Sequence, residues 1–341
     1  MYRGTLVLTP RGDLYAAGVC WGPSNSGMDA VCAASLADEV IGPFSLRGVA
    51  DCEWKLRSAN LDALQRAPYF ELEPPRQRNE ALLFDALRSQ AFPAFSFEGW
   101  SRILDYRYGL EPLSVAGSLK GDGGRFNIGA DLGPGTFAAF PALYIAEDYE
   151  AAFCERFASP SSSRHGVLSA PELALRSPGS FTQLRLRGLV ENVIDVGNLE
   201  ALKPFAGLLR ELPIPKDIRQ RARKLGLRPP PRLIRSPITL QRQLLHPNWR
   251  MLPQLFDFPA NSQVFGRIAV AAGLHGILYP SARQVAKRCL ALFPQNWADG
   301  ASVVEITDQA PDGARLTRID GMTEEFTWVN RRRVALARNG S

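Results

Sequence analysis

The chain has 341 residues, 45% apolar and 22% charged, which is ordinary globular usage with length for about two folding units. Forty lysines and arginines against 34 acids leave a modest +6, and the five cysteines are an odd number with no CxxC pair. A disulfide framework, a zinc-finger spacing and a membrane helix of roughly 18 apolar residues are therefore not expected, and the chain reads as soluble and cytoplasmic.

Residues 1–95 read as an accessory region. Thr5 to Thr9 suggests a strand, the Pro10-Arg11-Gly12-Asp13 turn ends it, and Leu14 to Val19 is its hairpin partner. Met28 to Ile41 has helical apolar spacing behind the capping types Ser24, Asn25 and Ser26, and Arg78 to Gln90 reads as a second helix. A second unit, 96–310, begins in a stretch rich in glycine and turn formers. Tyr106-Arg107-Tyr108 there reads as strand, with the two tyrosines on one face and the arginine on the other.

Gly121-Asp122-Gly123-Gly124-Arg125-Phe126-Asn127 is a glycine-rich turn carrying an arginine. Glycines let backbone amides approach an anion and a guanidinium binds phosphate bidentately, but the spacing is neither a Walker loop nor a GxGxxG fingerprint. Taken alone, it is a surface turn. Ala142 to Ala146 fits a buried strand leading into a helix over Glu147 to Phe157, with an acidic first turn. On a helical wheel Tyr149, Phe153, Cys154 and Phe157 take one side, and Ala151, Ala152 and Glu155 the other. That places Glu155 on a stripe of small side chains, where a carboxylate can stabilise developing positive charge; the alternative is a wet face of good helix formers.

Residues 159–258 hold a polar loop over Ser159 to Gly166, a strand over Gly188 to Val196, a helix over Leu199 to Leu212, then a basic run. Lys216 to Arg250 holds ten lysines and arginines against the single acid Asp217, and its Arg228-Pro229-Pro230-Pro231-Arg232 segment must be extended. Such a run suggests nucleic acid at first sight, yet only Trp249 supplies an aromatic for stacking, so a solvated basic face or an anion-attracting rim is preferred. A helix over Ser262 to Ala272 with Asn261 as cap and Gly273 as stop comes next, followed by a strand over Gly276 to Pro280. Ser281 lies just past that strand, where ligand-contacting groups collect, though a serine after proline is also an ordinary cap. Strands over Leu290 to Phe293 and Val303 to Ile306 and a C-terminal hairpin and tail, 311–341, complete a mixed α/β (α+β) chain without a regular βαβ rhythm.

Taken in order, these segments resemble the RES family, named for an arginine, a glutamate and a serine. The carrying pieces are Tyr106-Arg107-Tyr108, then Gly123 to Asn127 as that family's GGRWN element with Phe for Trp. Leu143 to Ala146 with Glu155 follows, and Gly276 to Arg283 comes last. The resemblance implies an ADP-ribosyltransferase-like fold of two small packed sheets with flanking helices around an NAD cleft. It implies a toxin that cleaves the nicotinamide–ribose bond of NAD, with phosphate or water as acceptor. A protein mono-ADP-ribosyltransferase using the same cleft is the alternative, and a non-catalytic nucleic-acid or partner-binding protein using Lys216 to Arg250 is a third reading.

On this resemblance Glu155 stabilises the oxocarbenium-like sugar, Arg107 and Arg125 hold pyrophosphate or the attacking phosphate, and Ser281 bonds the nicotinamide end or positions that phosphate. Tyr108 and Tyr144 pack against nicotinamide or ribose, and Gly124 and Asn127 complete the binding loop. No metal and no cofactor are expected beyond NAD as substrate and inorganic phosphate as co-substrate. The implied partner is a helix-turn-helix antitoxin or an immunity protein, through which alone nucleic acid enters; a homodimer is left open.

Overall fold

The structure, a computed structural model, describes residues 6–8, 13–16, 44–45, 51–67, 75–157, 180–227, 234–247, 249–298 and 300–323. The helix expected over Met28 to Ile41, the loop Ser159 to Gly166 and the Arg228 to Arg232 segment lie outside them. The first strands, β1 (Leu6–Leu8), β2 (Asp13–Ala16) and β3 (Phe44–Ser45), form a small antiparallel sheet, with Leu6 opposite Ala16 as the hairpin reading requires. Helix α1 (Asp51–Gln65) and helix α2 (Glu80–Arg88) follow.

The main sheet is built on two long strands, β4 (Phe92–Asp105) and β6 (Phe181–Asp195), antiparallel along nearly their whole length. A bulge between Phe97 and Trp100, where Gly99 takes φ +72°, bends β4. Asn192, at φ 49°, bends β6 where that strand exchanges one edge partner for another. Before the bend β6 pairs antiparallel with β9 (Val303–Ile306); after it, in parallel with β7 (Gly276–Pro280). With β5 (Leu143–Ala146), β8 (Arg288–Leu292) and β10 (Arg318–Asp320), the order is β10-β9-β6-β4-β5-β8-β7. The additional β6–β7 pairing closes β6-β4-β5-β8-β7 into a ring. The mixed α/β class expected from the sequence is what the structure has, with the packed layers drawn from one hydrogen-bonded sheet.

Strand alternation divides the core in two. Leu143 and Ile145 of β5, Leu278 of β7, and Leu290 and Leu292 of β8 point into the ring around Trp297. Their neighbours Ala146, Ile277, Tyr279, Cys289 and Ala291 point outward, against the helices. Those helices are α3 (Tyr149–Phe157), α4 (Leu199–Glu211), α5 (Lys216–Lys224), α6 (Pro237–Leu244), α7 (Met251–Phe256) and α8 (Asn261–Ala271). Helix α8 runs one residue ahead of its predicted span. Ala260, not Asn261, is its cap residue, its N–H held by Gln263 Oε1 at 2.9 Å, while Gly273 at φ +80° stops it as expected.

The outward face of β5, β7 and β8 is where Tyr144, Glu155, Ser281 and the Arg125 loop come together. Among the described residues no helix is long and apolar enough to cross a membrane, and no group of three or more His, Cys, Asp or Glu is placed to hold a metal ion.

Candidate active site

Helix α3 starts two residues later than its acidic run because Asp148 acts before it: Asp148 Oδ1 accepts the Ala151 N–H at 2.8 Å. Ala151 and Ala152 are not wet: both are buried, so the small side chains bring the helix close against the sheet. That seats Glu155 beside the end of β7. Its Oε1 accepts the Ser281 hydroxyl at 2.7 Å and the Ala282 N–H at 3.0 Å. Among the described residues Oε2 has no hydrogen-bond partner. The Ser281 oxygen in turn accepts the N–H groups of Arg283, at 3.2 Å, and Gln284, at 3.0 Å, so it caps a turn while donating its one proton to the carboxylate. Ser281 is thus an ordinary cap and the partner of Glu155 at once.

The glycine-rich loop is built from inside. Gly124 N–H donates to Asn127 Oδ1 at 2.8 Å and Phe126 N–H to the Tyr144 hydroxyl at 2.9 Å, while that hydroxyl donates to Asn127 Oδ1 at 2.9 Å. The Asn127 amide donates to the carbonyls of Ser118, at 2.8 Å, and Phe140, at 3.1 Å; fully buried, it is saturated. Gln263 of α8 clamps the loop, its Nε2 reaching the carbonyls of Asp122, Gly124 and Asn127 at 2.8, 3.2 and 3.0 Å. Two glycines are there for closeness: a Cβ on Gly124 would lie 2.5 Å from the Tyr144 hydroxyl, and one on Gly266 of α8 only 2.0 Å from the Phe126 carbonyl oxygen. These amides face inward, so Gly124, Asn127 and Tyr144 set the shape of the loop that carries Arg125. Burial pushes the Tyr144 phenol well above its ordinary value, keeping it a neutral donor.

Arg125 itself is buried, its Nη1 donating to the carbonyls of His246, at 2.9 Å, and Leu244, at 3.4 Å. Burial lowers its pKa, with the Glu155 charge opposing. The segment it grips ends in Trp249 and Arg250. The Arg250 guanidinium lies 4.5 Å over the Trp249 ring and that of Arg125 lies 6.0 Å from it. Arg283 acts on both arginines as a like charge and Glu155 as an opposite one. Ser281 bonds the Glu155 carboxylate directly, and Arg125, Arg250 and Tyr279 lie within reach of its charge, with Arg283 a like charge near both arginines. Tyr279, buried against Phe126 with ring centroids 5.0 Å apart, has its phenol pushed far up by burial. Beside it the Cys289 thiol, also near Ser281, is pushed up too, first by burial and then by the Glu155 charge.

Arg107 and Tyr108 lie apart from that group. The predicted strand stops at Asp105, whose last partner is Phe181, and Tyr106–Tyr108 form a 3-10 turn instead, so the alternate-face expectation does not apply. Arg107 is exposed, 3.5 Å from Asp105, with its guanidinium 4.8 Å from the Tyr108 ring. Lys120 Nζ donates to the Tyr108 hydroxyl at 2.5 Å and holds that phenol below its ordinary value. Asp105 also pairs with Arg156 at 2.8 Å, next to Glu155 on α3, which ties this pair to the helix as a rim.

Sequence reasoning passes over Arg250, Arg283, Tyr279 and Gln263 as site residues. Arg250 is concealed in a charge run. Gln263 and Gly266 carry the only available signal, a polar residue and a glycine inside an otherwise apolar helix.

Comparison with known proteins bears on this arrangement. The chain is similar to a chain of the "Crystal structure of the M.tuberculosis MbcT-MbcA toxin-antitoxin complex", with 16% sequence identity and a TM-score of 0.35 over 73% of this chain and 97% of that one. No curated protein matches the sequence. The RES domain family model matches residues 100–313, a span that contains every side chain of the site. The chain belongs to the RES domain family.

Proposed function

We propose that this chain cleaves the bond between nicotinamide and ribose in NAD, with inorganic phosphate or water as acceptor, and acts as a bacterial toxin restrained by a protein antitoxin. The observation that carries the reading is Glu155: a carboxylate with one oxygen fixed by Ser281 and Ala282 and the other unpartnered among the described residues, within electrostatic reach of Arg125 and Arg250. In this reaction the C1–N bond breaks with its electron pair leaving on nicotinamide, which departs neutral. The ribosyl group becomes oxocarbenium-like, and a carboxylate held beneath it lowers the barrier because the charge develops only in the transition state. A phosphate oxygen then forms the new C1–O bond, giving ADP-ribose 1″-phosphate; with water, ADP-ribose and a proton result.

The test is nicotinamide release from NAD, with and without phosphate, and product identification by mass spectrometry. Wild type is expected to release nicotinamide and Glu155→Gln to lose at least about 100-fold in rate. Intact NAD with wild type, or equal rates in the two proteins, overturns the reading. ADP-ribose appearing on a macromolecule instead points to the transferase alternative.

A further inference from the structure

We infer that Arg250, brought to the cleft by the segment between β6 and β7 and stacked on Trp249, is a phosphate-holding residue of this site, while Arg125 is the residue that positions it. The inference rests on the NAD reading and sharpens it.

The two guanidiniums differ in what they have to offer. Arg125 is buried and spends Nη1 on two main-chain carbonyls, of Leu244 and His246. Those bonds fix the backbone just ahead of Trp249, which is itself buried. Arg250 is exposed and stacked on the indole, and among the described residues no carboxylate or carbonyl lies within hydrogen-bonding distance of its guanidinium. Its other electrostatic neighbours are the like charges Arg125 and Arg283, with Glu155 and Asp122 as the groups of opposite sign. Glu155 already has Oε1 engaged, and no ion pair links it to Arg250.

The Arg125 and Arg250 guanidiniums act on one another as like charges, and an anion bound beside them offsets that repulsion. A planar fork held on an indole loses little freedom when it binds a phosphate oxygen pair. The bound oxyanion has two sources, the pyrophosphate of the dinucleotide and free inorganic phosphate.

The experiment is titration calorimetry on the full chain with three probes: ADP-ribose, inorganic phosphate and nicotinamide riboside, which lacks a phosphate. It compares wild type, Arg250→Ala, Arg250→Lys and, as a control for bulk charge, Arg242→Ala on α6. Thermal melts check that each variant is folded. Arg250→Ala is expected to weaken ADP-ribose about ten-fold or more if the pyrophosphate is the partner, or inorganic phosphate by that factor if the acceptor is. Nicotinamide riboside stays unchanged, Arg250→Lys recovers only part, and Arg242→Ala stays within about two-fold. Unchanged binding of both phosphate probes, or equal weakening of nicotinamide riboside, overturns the inference while leaving NAD cleavage standing. Wild type that cleaves no NAD but binds phosphate in an Arg250-dependent way does the reverse. Wild type that binds no phosphate probe ends the inference outright.

Discussion

One hydroxyl, that of Ser281, does two jobs in this molecule. Its proton is donated to the Glu155 carboxylate, and its oxygen accepts the amides that cap the turn following β7. Ser281→Ala removes both. Two amides lose their acceptor, at a cost of about 1–3 kcal/mol in stability, and the carboxylate keeps only the Ala282 N–H. If Ser281 positions Glu155 and does not touch substrate, kcat for nicotinamide release falls about ten- to hundred-fold while KM for NAD stays within about two-fold. Ser281→Thr restores most of the rate. A rise in KM with kcat intact would show that the hydroxyl binds NAD directly. Glu155 and Ser281 are legible in the sequence because each sits at a fixed place in a short motif. Arg250 is not, because ten cations in one run look alike and nothing local in sequence marks the one that stacks on Trp249 beside Arg125. Only the carbonyl anchors of Arg125, more than a hundred positions earlier, single it out.

Elements whose signals are local are legible from the sequence: the β1–β2 hairpin, β5 leading into α3, β7, and the hairpin of β9 with β10. The long strands are harder. The sequence suggests β6 only from Gly188, although its first half alternates Leu184 and Leu186 with Arg185 and Arg187, the period of a half-buried strand. Those exposed arginines pair with Glu305 on β9 and Asp308 just after it. β4 is hidden by Pro93 and the Gly99 bulge. At the bend of β6, His275 donates its N–H to the Asn192 carbonyl at 3.1 Å, and its ring shares a hydrogen bond of 2.7 Å with Ser302, which also accepts the Glu191 N–H at 3.0 Å. Burial lowers the His275 pKa, with Glu191 opposing. The unfolded chain therefore takes up this proton at a higher pH than the folded one, so stability is full above about pH 6.5 and declines as pH falls toward the folded value. Urea midpoints from pH 7.5 to 5 are expected to drop in that window, and His275→Gln is expected to flatten the drop. Identical slopes would remove His275 as the cause.

At the scale of the molecule, the RES resemblance makes residues 159–258 an expanded insertion into a smaller domain. Of its described part, α4 and α6 bury Leu202, Phe205, Leu209, Leu240 and Leu244 in the same core as Val264 and Phe265 of α8 and the outward face of the ring. Phe205 and Phe265 meet edge to face at 5.3 Å. A segment that shares its core with the sheet cannot melt by itself without exposing that core. Scanning calorimetry is expected to show one transition for the bulk of the chain, with Phe205→Ala destabilising that same transition by about 3–5 kcal/mol. A separate transition moved by Phe205→Ala alone would show an independent insertion.

The grip of Arg125 on the carbonyls of Leu244 and His246 has a corollary for tolerance to change. Peptide oxygens are common to all residues, so this contact is indifferent to which side chain stands at position 246. It is sensitive instead to the path of the main chain. Leu245 donates its N–H to the Gln241 carbonyl at 2.9 Å, and a proline there would delete that bond and swing both oxygens away. The hold on the segment that carries Trp249 and Arg250 is thus written in backbone trajectory rather than in residue identity.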